Sequence, residues 1–373
     1  MDEPVTTPAV PADPVSLADL GWTSELDLAH APHAALGREP ARVVAEDRGS
    51  YQLIGAAGEV RAGVSGRFRH EAANDSSAFP AVGDWVAVEG TPKGETVIHA
   101  LLPRRSALVR QASGKRTEAQ IVGANLDIVF IVASLNRDLN VRRLERYVTA
   151  GWESGAEPVI LLSKADLGGD VDAVLIAVEG VAAGATVVVV SSFDGRGVEE
   201  VRERIKPGQT VAFVGSSGVG KSTLLNKLAG EERAFVREIR AEDARGRHTT
   251  TRRQLHLLPD GGLVLDTPGM REFALWDSEG LEQTFTDIDE IVTRCRFGNC
   301  SHNGEPGCAI AVALADGSLE PGRLESWQKL IRESAHQERR VDALARAEER
   351  RKWKAIGKSV TKHMNAKYGD GWR

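Results

Sequence analysis

The chain has 373 residues, 42% of them hydrophobic and 27% charged, with a formal net charge of −6. That length allows two or three domains with separate cores, and the acidic balance excludes a molecule that binds polyanions over its whole surface, so any nucleic-acid contact is local. No apolar run approaches the ~20 residues that span a bilayer. The opening "MDEPVTTPAVPADPVS" lacks the basic start and apolar centre of a signal peptide.

That acidic, proline-rich opening predicts a disordered tail over residues 1–39 of a cytoplasmic protein. Residues 40–113 then alternate in short β-type runs broken by glycine turns: "ARVVAEDRGSYQLIGAAGEVRAGVSGRFRH", "VGDWVAVEG" and "TVIHALLPRRSALVR". This spacing predicts a small barrel of the oligonucleotide-binding (OB) type. Arg61, Arg67, Arg69, Arg104, Arg105 and Arg110 incline it toward phosphate contact. Over 114–280 the rhythm changes to strand and helix in alternation. "LDIVFIVAS", "EPVILLS", "TVVVV" and "TVAFV" are continuous apolar runs, as parallel strands covered on both faces should be, and helical segments separate them. Residues 281–335 read as mainly helical around a cysteine cluster. Residues 336–373 form a basic, helix-like tail that is either a solvated face or an RNA-facing one.

"GSSGVGKST" spells G-x-x-x-x-G-K-[ST] over Gly215, Ser216, Ser217, Gly218, Val219, Gly220, Lys221, Ser222 and Thr223. It follows a strand and opens a helix, the context in which backbone amides and a helix N-terminus cradle phosphates. Lys221 is expected to reach the β- and γ-phosphates, and the Ser222 hydroxyl to ligate Mg²⁺. "LVLDTPG" then places Asp266 near the magnesium shell and the Gly269 amide near the γ-phosphate. Between them, "DARGRHTTTRRQL" has the polar character of a switch loop. Thr250 is the expected second magnesium ligand, with Thr249 and Thr251 as alternatives.

"SKAD", covering Ser163, Lys164, Ala165 and Asp166, ends an apolar strand upstream of the phosphate loop. Asp166 can accept from the N1 and N2 donors of guanine, which adenine does not offer, and Lys164 can lie along the base plane. "SSFDGRG" ends the next strand and puts Ser191 and Ser192 where a second base-contacting loop belongs. The order is base element, base loop, phosphate loop, first switch, second switch, which is a circular permutation of the usual GTPase order. All these loops sit at carboxyl ends of parallel strands, so rejoining the termini elsewhere preserves the site.

Cys295, Cys300, His302 and Cys308 form C-x4-C-x-H-x5-C, and these are the only three cysteines in the chain. An odd, clustered set without a secretion signal argues for metal rather than disulfides. Four donors of this type suit tetrahedral Zn²⁺ and leave no open position, so one structural zinc is expected.

With "AVGDWV", "QIVGANLD", "SKAD", "GSSGVGKST", "GRHTTT", "DTPGMREF" and "CRFGNCSHNGEPGCAI", the sequence resembles the circularly permuted, ribosome small-subunit-dependent GTPases, RsgA (YjeQ/YloQ), over about residues 40–335. The resemblance implies a multidomain fold: an N-terminal OB-type β-barrel, a central circularly permuted α/β P-loop GTPase domain and a C-terminal mainly helical zinc-binding domain. It further implies GTP/GDP and Mg²⁺ as ligands, the 30S subunit and its 16S rRNA as partners, a role in late subunit maturation, and hydrolysis stimulated by the subunit. A monomer off the membrane is expected. The family usually carries Asn at the position of Ser163. An amide contacts guanine N7 and also ties the base loop to the phosphate loop, and a hydroxyl is expected to do less. Met270 stands where a Ras-type enzyme has its water-positioning glutamine. A thioether cannot orient water, so intrinsic hydrolysis should be slow, and His248 in the first switch is the catalytic candidate beside Lys221. From the residues alone two other classes remain: an adenine-specific P-loop ATPase, and an RNA-binding OB/zinc protein with a vestigial nucleotide site.

Overall fold

A computed structural model describes residues 15–47, 49–73, 75–90, 95–111, 119–135, 139–182, 184–230, 253–266, 279–336 and 339. The tail expected over 1–39 is corrected from residue 15 onward. A turn leads into helix α1 (Ser24–Ala34), whose first turn carries Glu25 and Asp27 against the positive end of the helix dipole. Leu20 and Leu26 are buried, and the Trp22 ring meets Trp85 edge-on with centroids 4.7 Å apart. Burial of these side chains supplies the driving force that proline-rich, acidic composition concealed.

The barrel consists of β1 (Glu39–Asp47), β2 (Ser50–Gly55), β3 (Gly58–Val64), β4 (Trp85–Gly90) and β5 (Thr96–Leu101), with the short helix α2 (Gly66–Glu71) between β3 and β4. β1 runs antiparallel to both β2 and β4, and β3 runs parallel to β5, so the strands close in the order β1-β2-β3-β5-β4-β1. Val43, Tyr51, Leu53, Val86, Val88 and Ile98 fill it from alternate positions. The hairpin β6 (Ala107–Gln111) and β7 (Ala119–Ala124) then leads into the α/β domain.

That domain runs β8 (Ile128–Ser134), α3 (Val141–Glu153), β9 (Glu157–Ser163), α4 (Val171–Glu179), β10 (Thr186–Val189), α5 (Val198–Arg204), β11 (Thr210–Val214), α6 (Lys221–Leu228), β12 (Gln254–Leu257) and β13 (Leu263–Asp266). The spatial order is β10-β9-β8-β11-β13-β12, parallel except for β12. Residues of one strand alternate between two cores: Val129 and Ile131 face one, Phe130 and Val132 the other. The phosphate-loop strand β11 thus lies centrally, between β8 and β13, although it is the fourth of these strands along the chain.

The barrel and this sheet join where β1 meets β12 at Ala45 and Gln254. Arg42, 1% exposed, sits in the seam. It donates to the carbonyls of Leu20 and Gly83 and to Thr210 Oγ1, and stands 5.5 Å from the Trp85 ring centroid. Burial drives its pKa down to about 10, and hydrogen bonding from the guanidinium offsets part of that desolvation.

The C-terminal part is helical: α7 (Glu279–Thr284), α8 (Thr286–Val292), α9 (Ala309–Ala315) and a helix over 321–336, here α10. No helix among the described residues is long and apolar enough to cross a membrane.

Candidate nucleotide-binding and metal sites

β11 is wholly buried, and Gly215 directly after it has φ 140°. A Cβ at Gly215 would collide with the Val132 carbonyl of β8, so only glycine lets the chain leave the sheet here. The loop closes at Gly220, the N-cap of α6, also at positive φ. The Lys221 ammonium folds back over the loop, donating to the Gly215 and Ser216 carbonyls at 2.6 and 2.8 Å. An anion in the loop would meet this cation together with the amide end of α6. Ser222 is half-buried on the first turn of α6, with Thr223 exposed beside it. Asp266 ends β13, whose register with β11 pairs Leu265 with Ala212, so its carboxylate stands at the same edge. His248, Thr250 and Gly269 lie outside the described residues.

The base element lies two strands away. Lys164 adopts a left-handed backbone (φ 58°, ψ 43°), which turns the chain sharply out of β9. The Ala165 amide donates to the Val190 carbonyl at 3.2 Å, fixing the turn to the loop after β10. Ser191, fully buried, donates its hydroxyl to Asp166 Oδ1 at 2.8 Å and accepts from the amides of Phe193 and Asp194. Ser192 is half-buried next to it. The Asp166 carboxylate is therefore held from one side and keeps acceptor capacity for a ligand with paired donors.

Ser163 joins the two halves. Its hydroxyl donates to the Val219 carbonyl in the phosphate loop at 2.6 Å and lies 3.1 Å from the Ala133 carbonyl. The hydroxyl thus makes the tie expected of an amide.

The four metal-type donors converge as well: ligand atoms of Cys295, Cys300, His302 and Cys308 all lie within 4.8 Å of one another. Cys295 Sγ is 3.6 Å from His302 Nδ1, and Cys308 Sγ is 3.8 Å from the same nitrogen. Cys308 is buried at the N-cap of α9. Although the His302 amide lowers it, burial and the neighbouring sulfurs push the Cys300 thiol up to about 11; a divalent cation would relieve this crowding by taking the thiolate charge. The donor set and spacing fit a tetrahedral metal.

Two residues escaped the sequence reading. Glu305 accepts from the Ser301 hydroxyl and from the amides of Ser301 and Asn303, which folds the loop that presents His302. Those bonds, led by the Ser301 hydroxyl, pull its carboxyl down to about 2. Arg143, on the first turn of α3, donates to Ser216 Oγ in the phosphate loop at 2.9 Å. No local pattern pointed to it, because its partner Ser216 lies 73 residues further along the chain.

A central β11 with its glycine loop, a base element entering from earlier in the chain, a leading closed barrel and a trailing Cys₃His cluster define a circularly permuted P-loop GTPase with two flanking domains. The sequence model of the RsgA GTPase family matches residues 101–276. A small ribosomal subunit biogenesis GTPase RsgA 2 of Lactiplantibacillus plantarum is 45% identical over 95% of this chain and 99% of its own. The RsgA of Opitutus terrae is 43% identical over 92% and 96% respectively. The chain belongs to the RsgA family of GTPases and is a GTP hydrolase. The crystal structure of YjeQ from Thermotoga maritima, 26% identical, superposes with a TM-score of 0.60 over 80% of this chain and 99% of that one. YloQ, described as a circularly permuted GTPase and 22% identical, gives 0.55 over 80% and 96%, and bears on the fold alone.

Proposed function

We propose that this protein binds the small (30S) ribosomal subunit through its 16S rRNA, as a cytoplasmic monomer, and assists its late maturation while hydrolysing GTP to GDP and phosphate, with the subunit stimulating hydrolysis. The observation that carries the guanine reading is the chain of contacts Asp166–Ser191 and Ser163–Val219, which holds a base-reading carboxylate in fixed relation to the phosphate loop. A carboxylate accepts from guanine N1 and N2 and repels the acceptor edge of adenine, which disfavours the ATPase reading. Lys164 and Ala165 shape the base turn, and Ser191 and Ser192 the second loop. The loop from Gly215 through Thr223 surrounds the phosphates, with Lys221 on the β- and γ-oxygens. Ser222 and Thr250 would hold Mg²⁺, with Asp266 supporting its shell. Gly269 meets the γ-phosphate. His248 orients the attacking water when the subunit is bound. Cys295, Cys300, His302 and Cys308 would hold one Zn²⁺ in a structural role, since four protein ligands leave no position for substrate.

The decisive experiment is multiple-turnover phosphate release with and without 30S subunits, beside co-sedimentation with 30S, 50S and 70S particles under GDP and a non-hydrolysable GTP analogue. Stimulation specific to 30S is expected, with ATP failing to displace labelled GDP. Turnover indifferent to 30S would overturn the reading. His248→Ala should keep GTP affinity and lose ~10²-fold of the stimulated rate, roughly 2.7 kcal/mol of transition-state stabilisation. Full stimulation in that variant would remove His248 from the mechanism.

A further inference from the structure

Helix α3 reaches two different bodies. Toward the C-terminal helices, Arg142 Nη2 donates to Glu320 Oε2 at 2.7 Å, and Arg146 holds both oxygens of Glu333 at 2.6 and 3.0 Å. Between these, Glu145 is fully buried, and its Oε1 accepts from Arg142 at 2.8 Å and from Arg323 at 2.9 Å. Arg323 in turn grips the Asp287 carboxylate through two nitrogens. α7 crosses α3 so closely that a Cβ on Gly280 would strike the Thr149 carbonyl. Breaking one member of this network leaves a charge without its partner beside the buried Glu145. α3 and the C-terminal helices therefore behave as one unit.

Arg143 faces the other way, to Ser216, with its own amide capped by Asn140 Oδ1 at 3.0 Å. Beside this bond a small, partly open cleft of about 20 Å³ lies between the end of β8, the first turn of α3 and the phosphate loop, and Ser134, Asn140, Arg143, Ser216 and Val219 line it. The Ser134 hydroxyl there is buried and has no partner among the described residues. The guanidinium of Arg143 is the charged link between α3 and the phosphate loop beside this cleft.

We propose that Arg143 is a positioning residue for nucleotide binding and hydrolysis: through Ser216 it fastens the start of the phosphate loop to α3, so that the hold of the C-terminal domain on α3 sets the geometry of the loop. The role rests on the nucleotide reading of the site and goes beyond it, because Arg143 acts through Ser216 and not on the phosphates.

The test uses the full-length, zinc-loaded protein, with dissociation of a fluorescent GDP analogue followed by stopped flow and kcat and KM for GTP measured separately. Arg143→Ala should speed GDP dissociation by about tenfold, the scale of one charged hydrogen bond, and Arg143→Lys should restore most of that. Ser216→Ala should have a similar effect, and the double variant should be no faster than either alone. Glu333→Gln, far from the loop, should speed dissociation by roughly two- to threefold in the wild-type background and not at all beside Arg143→Ala. Additive effects of Arg143→Ala and Ser216→Ala, or an unchanged GDP dissociation rate, would overturn the proposal. If Arg143→Ala does not fold, the Lys and Ser216 variants decide the same question. Wild-type protein that binds no guanine nucleotide would overturn both the proposal and the site reading beneath it, whereas tight binding indifferent to Arg143 overturns the proposal alone.

Discussion

The hydroxyl of Ser163 donates to the carbonyl of Val219 at 2.6 Å, so one small side chain bolts the base element to the phosphate loop. Removing it leaves a buried carbonyl without its donor, which costs about 1–3 kcal/mol. Because the proposed nucleotide site spans both loops, Ser163→Ala should weaken GDP binding by about tenfold and lower the melting temperature. Ser163→Asn, which can keep the tie and extend toward the base, should bind GDP more tightly than the wild type. Titration with a fluorescent GDP analogue checks both; equal affinities in all three proteins would mean that the tie has no bearing on the nucleotide.

Asp166 receives the Ser191 hydroxyl at 2.8 Å, a bond that an amide oxygen could also accept. Asp166→Asn should therefore leave the loop folded while changing what it reads. The amide can donate to the 2-oxo group of xanthine, so XTP should gain on GTP by one to two orders of magnitude in kcat/KM, the usual scale for one or two specific hydrogen bonds. A uniform loss for both nucleotides would place guanine elsewhere.

The permuted order was legible because the base element, the base loop, the phosphate loop and the second switch each follow a continuous apolar strand, and such runs announce parallel strands by themselves. The Cys₃His cluster was legible because all four donors lie within residues 295–308. The docking of residues 15–35 was not, since it rests on Leu20, Trp22 and Leu26 meeting a barrel surface that no local pattern describes. The partners of Arg143 and Arg323 lie in distant segments, Ser216 for one and Glu145 for the other. Such pairs follow from how helices settle on the sheet, and charge on an exposed-looking helix face gives no hint of them. The reach of Ser163 was underestimated for the same reason: a hydroxyl suffices only because the Val219 carbonyl comes to it.

The cysteine cluster fixes the start of α9, because Cys308 is both a donor of the cluster and the N-cap of that helix. Removing the metal should loosen the C-terminal helices and not the barrel. Elemental analysis should find one zinc per chain, and Cys308→Ser should lose it. Chelation should lower the melting temperature and increase hydrogen exchange over 279–336, with residues 39–101 protected as before. Unchanged exchange after complete metal loss would show that α3 and the buried Arg323–Glu145 pair suffice to hold the domain.

His30 is 7% exposed on α1, its ring edge-on to Trp22 at 5.8 Å and 6.2 Å from that of His33. Its Nε2 is buried and has no partner among the described residues. Burial holds its pKa below the ordinary 6.5; His33 adds to the effect, and Asp27 opposes it. A lowered pKa in the folded state means that the unfolded chain takes up the proton first as pH falls. The stability that His30 contributes is thus complete above about pH 6.5 and is lost as the pH drops through the unfolded value toward the folded one. Acidification from about pH 7.5 to about 5.5 should therefore destabilise the docked α1, through a charge forced beside Trp22 where no acceptor is available. His30→Phe keeps a ring of similar size and takes up no proton. It should melt near the wild type at the higher pH and lose less stability at the lower one. Hydrogen exchange over residues 24–34, compared between the two proteins at both pH values, separates local undocking from global unfolding. If the variant and the wild type lose protection equally on acidification, another group, with the paired Asp84 and Arg104 under the barrel the next to examine, carries the acid response.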